Sequence, residues 1–100
     1  MTININPDDL RKVAEETKDK RLDRFSPEYY QLNFDMSTGE LWTDFHYSLG
    51  SNEHTFYHDE NILFCGNLRC KHTTEEITAL VKQAAEYREF EIEQAKKYAL

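Results

Sequence analysis

Four side chains able to exchange protons or bind a metal lie in the middle of the chain: Asp44, His46, Tyr57 and His58. Asp44 and His46 are two residues apart, so a β-strand would place them on one face, and a neighbouring strand would bring the other two within reach. A carboxylate beside an imidazole can act as a general acid–base pair. No nucleophile motif, glycine-rich phosphate loop or basic residue accompanies them. We therefore predict no catalytic residues and no enzyme. A small-ligand- or metal-binding pocket built from these four side chains is the alternative function.

A second group of candidate ligands follows the acidic middle of the chain. The segment CGNLRCKH contains Cys65, Cys70 and His72, and zinc is bound by His and Cys side chains. The spacing lacks the Cys-x2-Cys pair of a zinc knuckle, and Cys65 can point into the core from the end of a strand. The Asp59-Glu60-Asn61 triplet lacks the regular oxygen spacing of a calcium loop. The sequence therefore predicts no metal site and no cofactor.

Charge is distributed unevenly around these candidates. Residues 26–66, which we name the acidic segment, contain seven carboxylates and no Lys or Arg, whereas each flank contains six acids and six bases. The net charge of −7 therefore belongs to the acidic segment. Nucleic acids and anionic membranes are bound through Lys and Arg, so we expect the chain to bind neither directly. The same charge would attract a basic protein surface.

Length and composition predict one domain spanning residues 1–100. The chain has 39% hydrophobic and 31% charged residues with little Gly or Pro, which is typical of a globular protein. No stretch approaches the roughly 20 apolar residues of a membrane span, and the N-terminus lacks the pattern of a signal peptide. We expect a cytoplasmic location.

Two helical patterns flank the acidic segment. Asn6, followed by Pro and two acids, is a typical helix start, and the apolar residues after it recur at helical spacing over about 7–22. Thr73 and Glu76 form a capping-box pattern, after which a long helix is expected to about Lys97. The distal part of that helix is more apolar than a solvated end requires. This leaves open either packing on Ile3, Ile5 or the first helix of the same chain, or a homodimer through the C-terminal helix.

Within the acidic segment the hydrophobic period changes to two, which predicts strands. A two-residue turn at Thr38-Gly39 would pair Met36 with Leu41. A further turn would bring Phe56 opposite Tyr47, and the next apolar run forms either a fourth strand or the continuation of a bent third one. The predicted fold class is α+β: an antiparallel three- to four-stranded meander with a short N-terminal helix and a long C-terminal helix packed on one face.

Helices on one face would leave the other face of the sheet open, with aromatic and acidic side chains on it. Aromatic rings supply contact area in protein interfaces, and charges supply specificity. The predicted partner-binding residues are Tyr29, Asp35, Trp42, Asp44, His46, Tyr57, Asp59 and Glu60. A simpler interpretation is that the acids provide solubility and the rings pack in the ordinary way.

The sequence thus favours a non-enzymatic, acidic protein-binding module. Its expected partner is a basic protein surface, for example that of a nucleic-acid-binding enzyme. Small size, acidic balance and missing catalytic motifs are typical of phage or mobile-element inhibitors that block such enzymes by mimicking nucleic acid. This comparison is one of composition alone.

Overall fold

The computed structural model of the chain describes residues 3–18, 28–47, 56–68 and 72–99. A short helix precedes four strands and a long helix follows them. The elements are α1 (Pro7–Lys18), β1 (Glu28–Asp35), β2 (Leu41–Tyr47), β3 (Phe56–Asp59), β4 (Ile62–Leu68) and α2 (Thr74–Tyr98). The strands form one antiparallel sheet, and this arrangement confirms the predicted α+β class.

The order of the strands is β2-β1-β4-β3, which corrects the predicted pairing of the third strand. Phe56 does not lie opposite Tyr47; it pairs with Cys65, because β3 joins β4 rather than β2. The connection is a two-residue turn at Glu60-Asn61, in which Glu60 has a left-handed φ of 51°. β4 is therefore a separate strand that lies between β1 and β3. Alternation assigns side chains to faces but does not specify which strands are neighbours.

The turn between β1 and β2 is longer than predicted. Phe34, rather than Met36, lies opposite Leu41, so the predicted register is wrong by two residues. The carboxylate of Asp35 accepts hydrogen bonds from the backbone N–H of Ser37 at 2.8 Å and from its hydroxyl at 2.6 Å, which stabilises a wider loop. Because the shift is an even number of residues, every side chain keeps its predicted face.

Gly39 lies where this turn meets the N-terminal segment. Its φ is +80°, a conformation that favours glycine. Its carbonyl accepts a hydrogen bond from the backbone N–H of Asn6 at 2.9 Å, and a Cβ added to it would lie 2.5 Å from the carbonyl oxygen of Asn4. Any larger residue would therefore displace the N-terminal segment from the turn.

Both helices begin at the predicted caps. The side-chain oxygen of Asn6 accepts a hydrogen bond from the backbone N–H of Asp8 at 2.9 Å. At α2, Thr73 and Glu76 exchange side chain–backbone hydrogen bonds of 3.1 Å in both directions, which confirms the capping box. The predicted continuation of α1 beyond Lys18 falls outside the described residues. None of the helices in the described ranges is long and apolar enough to cross a membrane.

Both helices pack on the same face of the sheet and enclose the core. The buried apolar residues are Val13, Leu32, Phe34, Leu41, Leu63, Cys65, Leu68, Ile77, Val81, Ala84 and Ala85. Ile3 and Ile5 of the N-terminal segment cover its edge. The apolar sides of the helices and of the sheet therefore face each other over most of this core, although Phe45 on β2 is 51% exposed. Neither helix covers the other face of the sheet.

Candidate functional site

The face of the sheet away from the helices, which we name the open face, is formed by alternate residues of all four strands. Cross-strand pairing arranges its positions in rows. Its positions are Tyr29, Gln31, Asn33 and Asp35 on β1, Trp42, Asp44 and His46 on β2, Tyr57 and Asp59 on β3, and Ile62, Phe64 and Asn67 on β4. The strand pairing thus joins residues from four strands into one surface.

Seven of the eight predicted partner-binding residues hold positions on the open face. Glu60 is the exception, since it lies exposed in the turn between β3 and β4. Tyr57 occupies the position paired with Phe64, but its side chain is outside the described part of the structure. Ser48, which the same alternation assigns to this face, also lies outside the described residues.

Asn33 is the centre of the open face and is completely buried, with 0% of its surface exposed. Its side-chain N–H group donates to the Asp44 carboxylate at 2.9 Å and to the Gln31 carbonyl at 3.3 Å. Its side-chain oxygen accepts from the Gln31 amide at 3.0 Å. A buried amide with its hydrogen bonds satisfied is compatible with a stable sheet, and this network holds the Asp44 carboxylate in one orientation.

Aromatic rings surround this polar centre. Trp42 on β2 and Phe64 on β4 are the two cross-strand neighbours of Asn33, and both are only partly buried. Along the same face, the rings of Tyr29 and His46 stack with centroids 5.3 Å apart and planes 15° apart. The rings therefore lie in contact with the sheet while part of their apolar surface remains accessible.

The charge of the open face is negative. Its carboxylates are Asp35, Asp44 and Asp59, and within the described ranges no Lys or Arg lies on it. Hydrogen bonds from the hydroxyl and the backbone N–H of Ser37 hold the pKa of Asp35 below its usual value. Asp35 is therefore ionised at neutral pH and contributes a full negative charge at the end of β1.

The alternative pocket of four side chains does not form. Asp44 and His46 are on β2, whereas Tyr57 and His58 are on β3, at the opposite edge of the sheet. Strands are about 4.8 Å apart, so three spacings separate these edges. His58 also faces the helices, where its Nε2 lies 2.7 Å from a carboxylate oxygen of Glu91. The prediction that these residues share a pocket is wrong because it assumed that β3 lies beside β2.

The Cys65, Cys70 and His72 group is only partly described. Cys65 is fully buried, as predicted, and burial raises the pKa of its thiol to about 12. His72 lies 3.7 Å from the carboxylate of Glu76 at the start of α2, and Cys70 falls outside the described residues. Among the side chains that the structure describes, no three of His, Cys, Asp or Glu type converge as metal ligands.

Sequence reasoning missed the contribution of β4 to the open face. Phe64 and Ile62 lie there while Leu63 and Cys65 lie in the core, so the continuous apolar run belongs to a strand that has apolar residues on both faces and a neighbouring strand on each edge. That run is the signal that could have identified an interior strand. Alternation along β1 assigns Asn33 to the open face, but its burial has no signal in the sequence, since an alternating polar residue predicts exposure.

The chain was compared with models of protein families, with curated proteins and with solved structures, and none of the three comparisons finds a match. The function therefore has to be argued from the open face itself.

Proposed function

We propose that the open face binds a basic surface of another protein and that the chain acts by occupying this surface, without catalysis. The observation that carries the proposal is the combination, on one face, of partly exposed aromatic rings with carboxylates and with no described Lys or Arg. Rings of this kind are the usual anchors of protein interfaces. The carboxylates select the sign of the partner's charge and accelerate its association.

Trp42 and Asp44 are the strongest anchor pair. They are two residues apart on β2, so their side chains leave the sheet in the same direction about 7 Å apart. An arginine of the partner can lay its guanidinium on the indole and donate two hydrogen bonds to the carboxylate. Because Asn33 already orients Asp44, less conformational entropy is lost on binding. Asp35 and Asp59 are far enough away to steer approach without joining this pair.

The partner class follows from the chemistry of the open face. Surfaces that bind phosphates present Lys and Arg, and these side chains accept carboxylates through the same charge-assisted hydrogen bonds. We therefore infer a nucleic-acid-binding enzyme as the partner and inhibition by occupation of its site as the effect. Composition alone supports the narrower version, a cytoplasmic inhibitor from a phage or mobile element.

The first test is a pull-down from cell lysate with the immobilised chain at low and high salt. We expect capture of a nucleic-acid-binding protein that is lost at high salt and displaced by added nucleic acid. The double variant Asp35→Lys/Asp44→Lys should lose this capture. The control variant Glu15→Lys/Glu75→Lys has the same net charge but carries its changes on the helices. This control variant should still capture the partner protein. Equal capture by both double variants, or capture that is insensitive to salt, contradicts the proposal.

A second test follows the anchor pair directly. Trp42 is the only tryptophan, so its fluorescence reports contacts at this position. We expect a hexa-arginine peptide to change the emission at lower concentration than a hexa-lysine peptide of equal charge. Only a guanidinium group can both stack on the Trp42 indole and donate two hydrogen bonds to the Asp44 carboxylate. The Asp44→Asn variant should reduce this preference, whereas Asp59→Asn, with the same loss of charge, should leave it. Equal responses to both peptides would contradict an arginine-specific anchor at Trp42 and Asp44. They would not contradict docking that depends on charge alone.

A further inference from the structure

The second half of α2, residues 86–98, which we name the distal segment, extends beyond the buried residues of the helix. The buried residues of α2 end at Ala85, whereas the helix continues to Tyr98. Thirteen residues at 1.5 Å each correspond to about 20 Å of helix. Helical propensity alone rarely maintains such a length in water, so a further packing surface is expected here.

Aromatic side chains are exposed along one side of the distal segment. Phe90 is 59% exposed, Tyr98 is 72% exposed and Tyr87 is 39% exposed. Together with Gln94 they recur at intervals of three and four residues, which places them on neighbouring positions of one helix side. A row of rings over three turns is more than the isolated apolar residue that an ordinary surface carries. This side of the helix is turned away from the sheet core.

A shallow groove accompanies this row. It has a volume of about 500 Å³, and its lining includes Tyr87, Phe90 and Glu91 of α2 and His58 of β3. The bond between His58 and Glu91, at 2.7 Å, fixes β3 against the helix and so defines one wall of the groove. The groove is therefore formed by two elements that are already held together in the single chain.

Charges along the distal segment change sign from one end to the other. Its first part is negative overall and its end is positive: Glu86, Glu89, Glu91 and Glu93, with the single base Arg88 among them, precede Lys96 and Lys97. In an antiparallel pair of identical helices, the acidic end of each copy lies beside the basic end of the other, whereas a parallel pair would align like charges. The ammonium group of Lys97 lies 5.8 Å from the Tyr98 ring centroid, so cation and ring occupy the same end. The segment is thus complementary to its own antiparallel copy in both apolar contacts and charge.

We infer that two copies of the chain associate through the distal segments of α2, packed antiparallel, with Tyr98 of each copy entering the groove beside Tyr87 and Phe90 of the other. α2 lies on the side of the sheet opposite the open face, so this association does not depend on the proposed docking and leaves that face accessible. The result would be a particle with two open faces, which raises the effective concentration of the second site once the first has bound.

The oligomeric state of the full chain tests the inference by sedimentation equilibrium. We expect the wild type to have the mass of two chains and the Phe90→Lys variant to have the mass of one. The control variant Ala79→Lys adds the same charge to an exposed position on the sheet-packed half of α2 and should remain dimeric. A wild type that sediments as one chain even at the concentration of an NMR sample would overturn the inference.

Exchange of charges tests whether the charged ends of the distal segments meet in the dimer. The Glu86→Lys/Glu89→Lys and Lys96→Glu/Lys97→Glu variants should each be monomeric, because like charges then meet at both ends of the pair. An equimolar mixture of the two should form a dimer, since each end then joins opposite charges. Circular dichroism of each variant confirms that α2 is retained. Dimers of either variant alone, or a mixture that stays monomeric, would contradict an association in which the distal segments lie side by side.

Discussion

The two faces of the sheet differ in how completely they are buried. On the helix face, Leu32, Phe34 and Leu63 are fully enclosed by α1 and α2. On the open face, Trp42 and Phe64 remain partly exposed, and among its described side chains only Asn33, a hydrogen-bonded amide, is fully buried. The same β1 strand supplies both kinds of residue at alternating positions.

The difference separates a surface that folds the chain from a surface left for binding. Apolar area on the helix face is already removed from water and contributes to the stability of the fold. Ring area on the open face is still partly in contact with water, so a partner that covers it gains the remaining transfer energy. The hydrogen bonds around Asn33 also orient the Asp44 carboxylate. Because this acceptor is already held in place, it loses little entropy when a partner binds.

Two phenylalanines give the largest expected contrast between the faces. Phe34→Ala empties a fully buried site and should lower the free energy of unfolding by about 3–5 kcal/mol. Phe64→Ala removes a partly exposed ring and should cost about 1–2 kcal/mol. Urea denaturation of both variants measures the difference. Equal losses would mean that the open face is as much a part of the core as the helix face.

Asn33 should give the next largest effect. Asn33→Ala removes the hydrogen bonds to Gln31 and Asp44 inside the sheet and should cost about 1–2 kcal/mol in unfolding free energy. It should also weaken the response of Trp42 fluorescence to the hexa-arginine peptide, since Asp44 loses its fixed orientation. Gln31→Ala keeps the bond between Asn33 and Asp44 and serves as the control. A stable Asn33→Ala variant with unchanged peptide binding contradicts a central role for this amide.

Asp44→Lys should affect binding more than folding. Its side chain is exposed but accepts a hydrogen bond from the buried amide of Asn33, so the change should lower the unfolding free energy by about 1 kcal/mol and leave the chain folded. Binding to the basic partner should nevertheless be lost, because an attractive contact becomes repulsive. Parallel urea denaturation and pull-down measure the two effects. A large loss of stability would assign Asp44 to the fold.

The smallest expected effect is the pH dependence at Asp35. Its pKa in the folded chain is lowered from 3.8 by the hydrogen bonds of Ser37, so the ionised form stabilises the fold above pH 3.8. This contribution is lost as the pH falls through the lowered pKa. Ser37→Ala should therefore reduce stability slightly at pH 7 and not at pH 2, as measured by thermal unfolding. The same decrease at both pH values would assign the effect to the turn geometry instead.

Local features of the fold were predictable because neighbouring residues cause them. The Asn6 cap and the capping box of Thr73 and Glu76 satisfy backbone groups within one helical turn, so their spacing is visible in the sequence. The face of each β1 and β2 residue was also predicted correctly, since alternation depends only on the period of two. These features needed no knowledge of the rest of the chain.

Register and strand order were not predictable in the same way. A shift of two residues between β1 and β2 preserves the faces, so agreement of the apolar pattern could not reveal the loop that Asp35 and Ser37 stabilise. The pairing of β3 with β4 depends on the turn at Glu60-Asn61, where a left-handed glutamate is unusual. The wrong pairing of β3 also suggested a pocket that contains His46 and His58. The observed strand order places these two residues at opposite edges of the sheet.

The helix starts, the alternation of the strands and the concentration of negative charge in residues 26–66 can be read from the amino-acid sequence, because each depends on residues close together in the chain. Three other features depend on the three-dimensional fold: β4 lies between β1 and β3, Asn33 is buried beside Phe64, and His58 faces Glu91. These contacts join residues from separate stretches of the chain. They follow from the competition of strands and helices for one core, and no local pattern encodes its outcome.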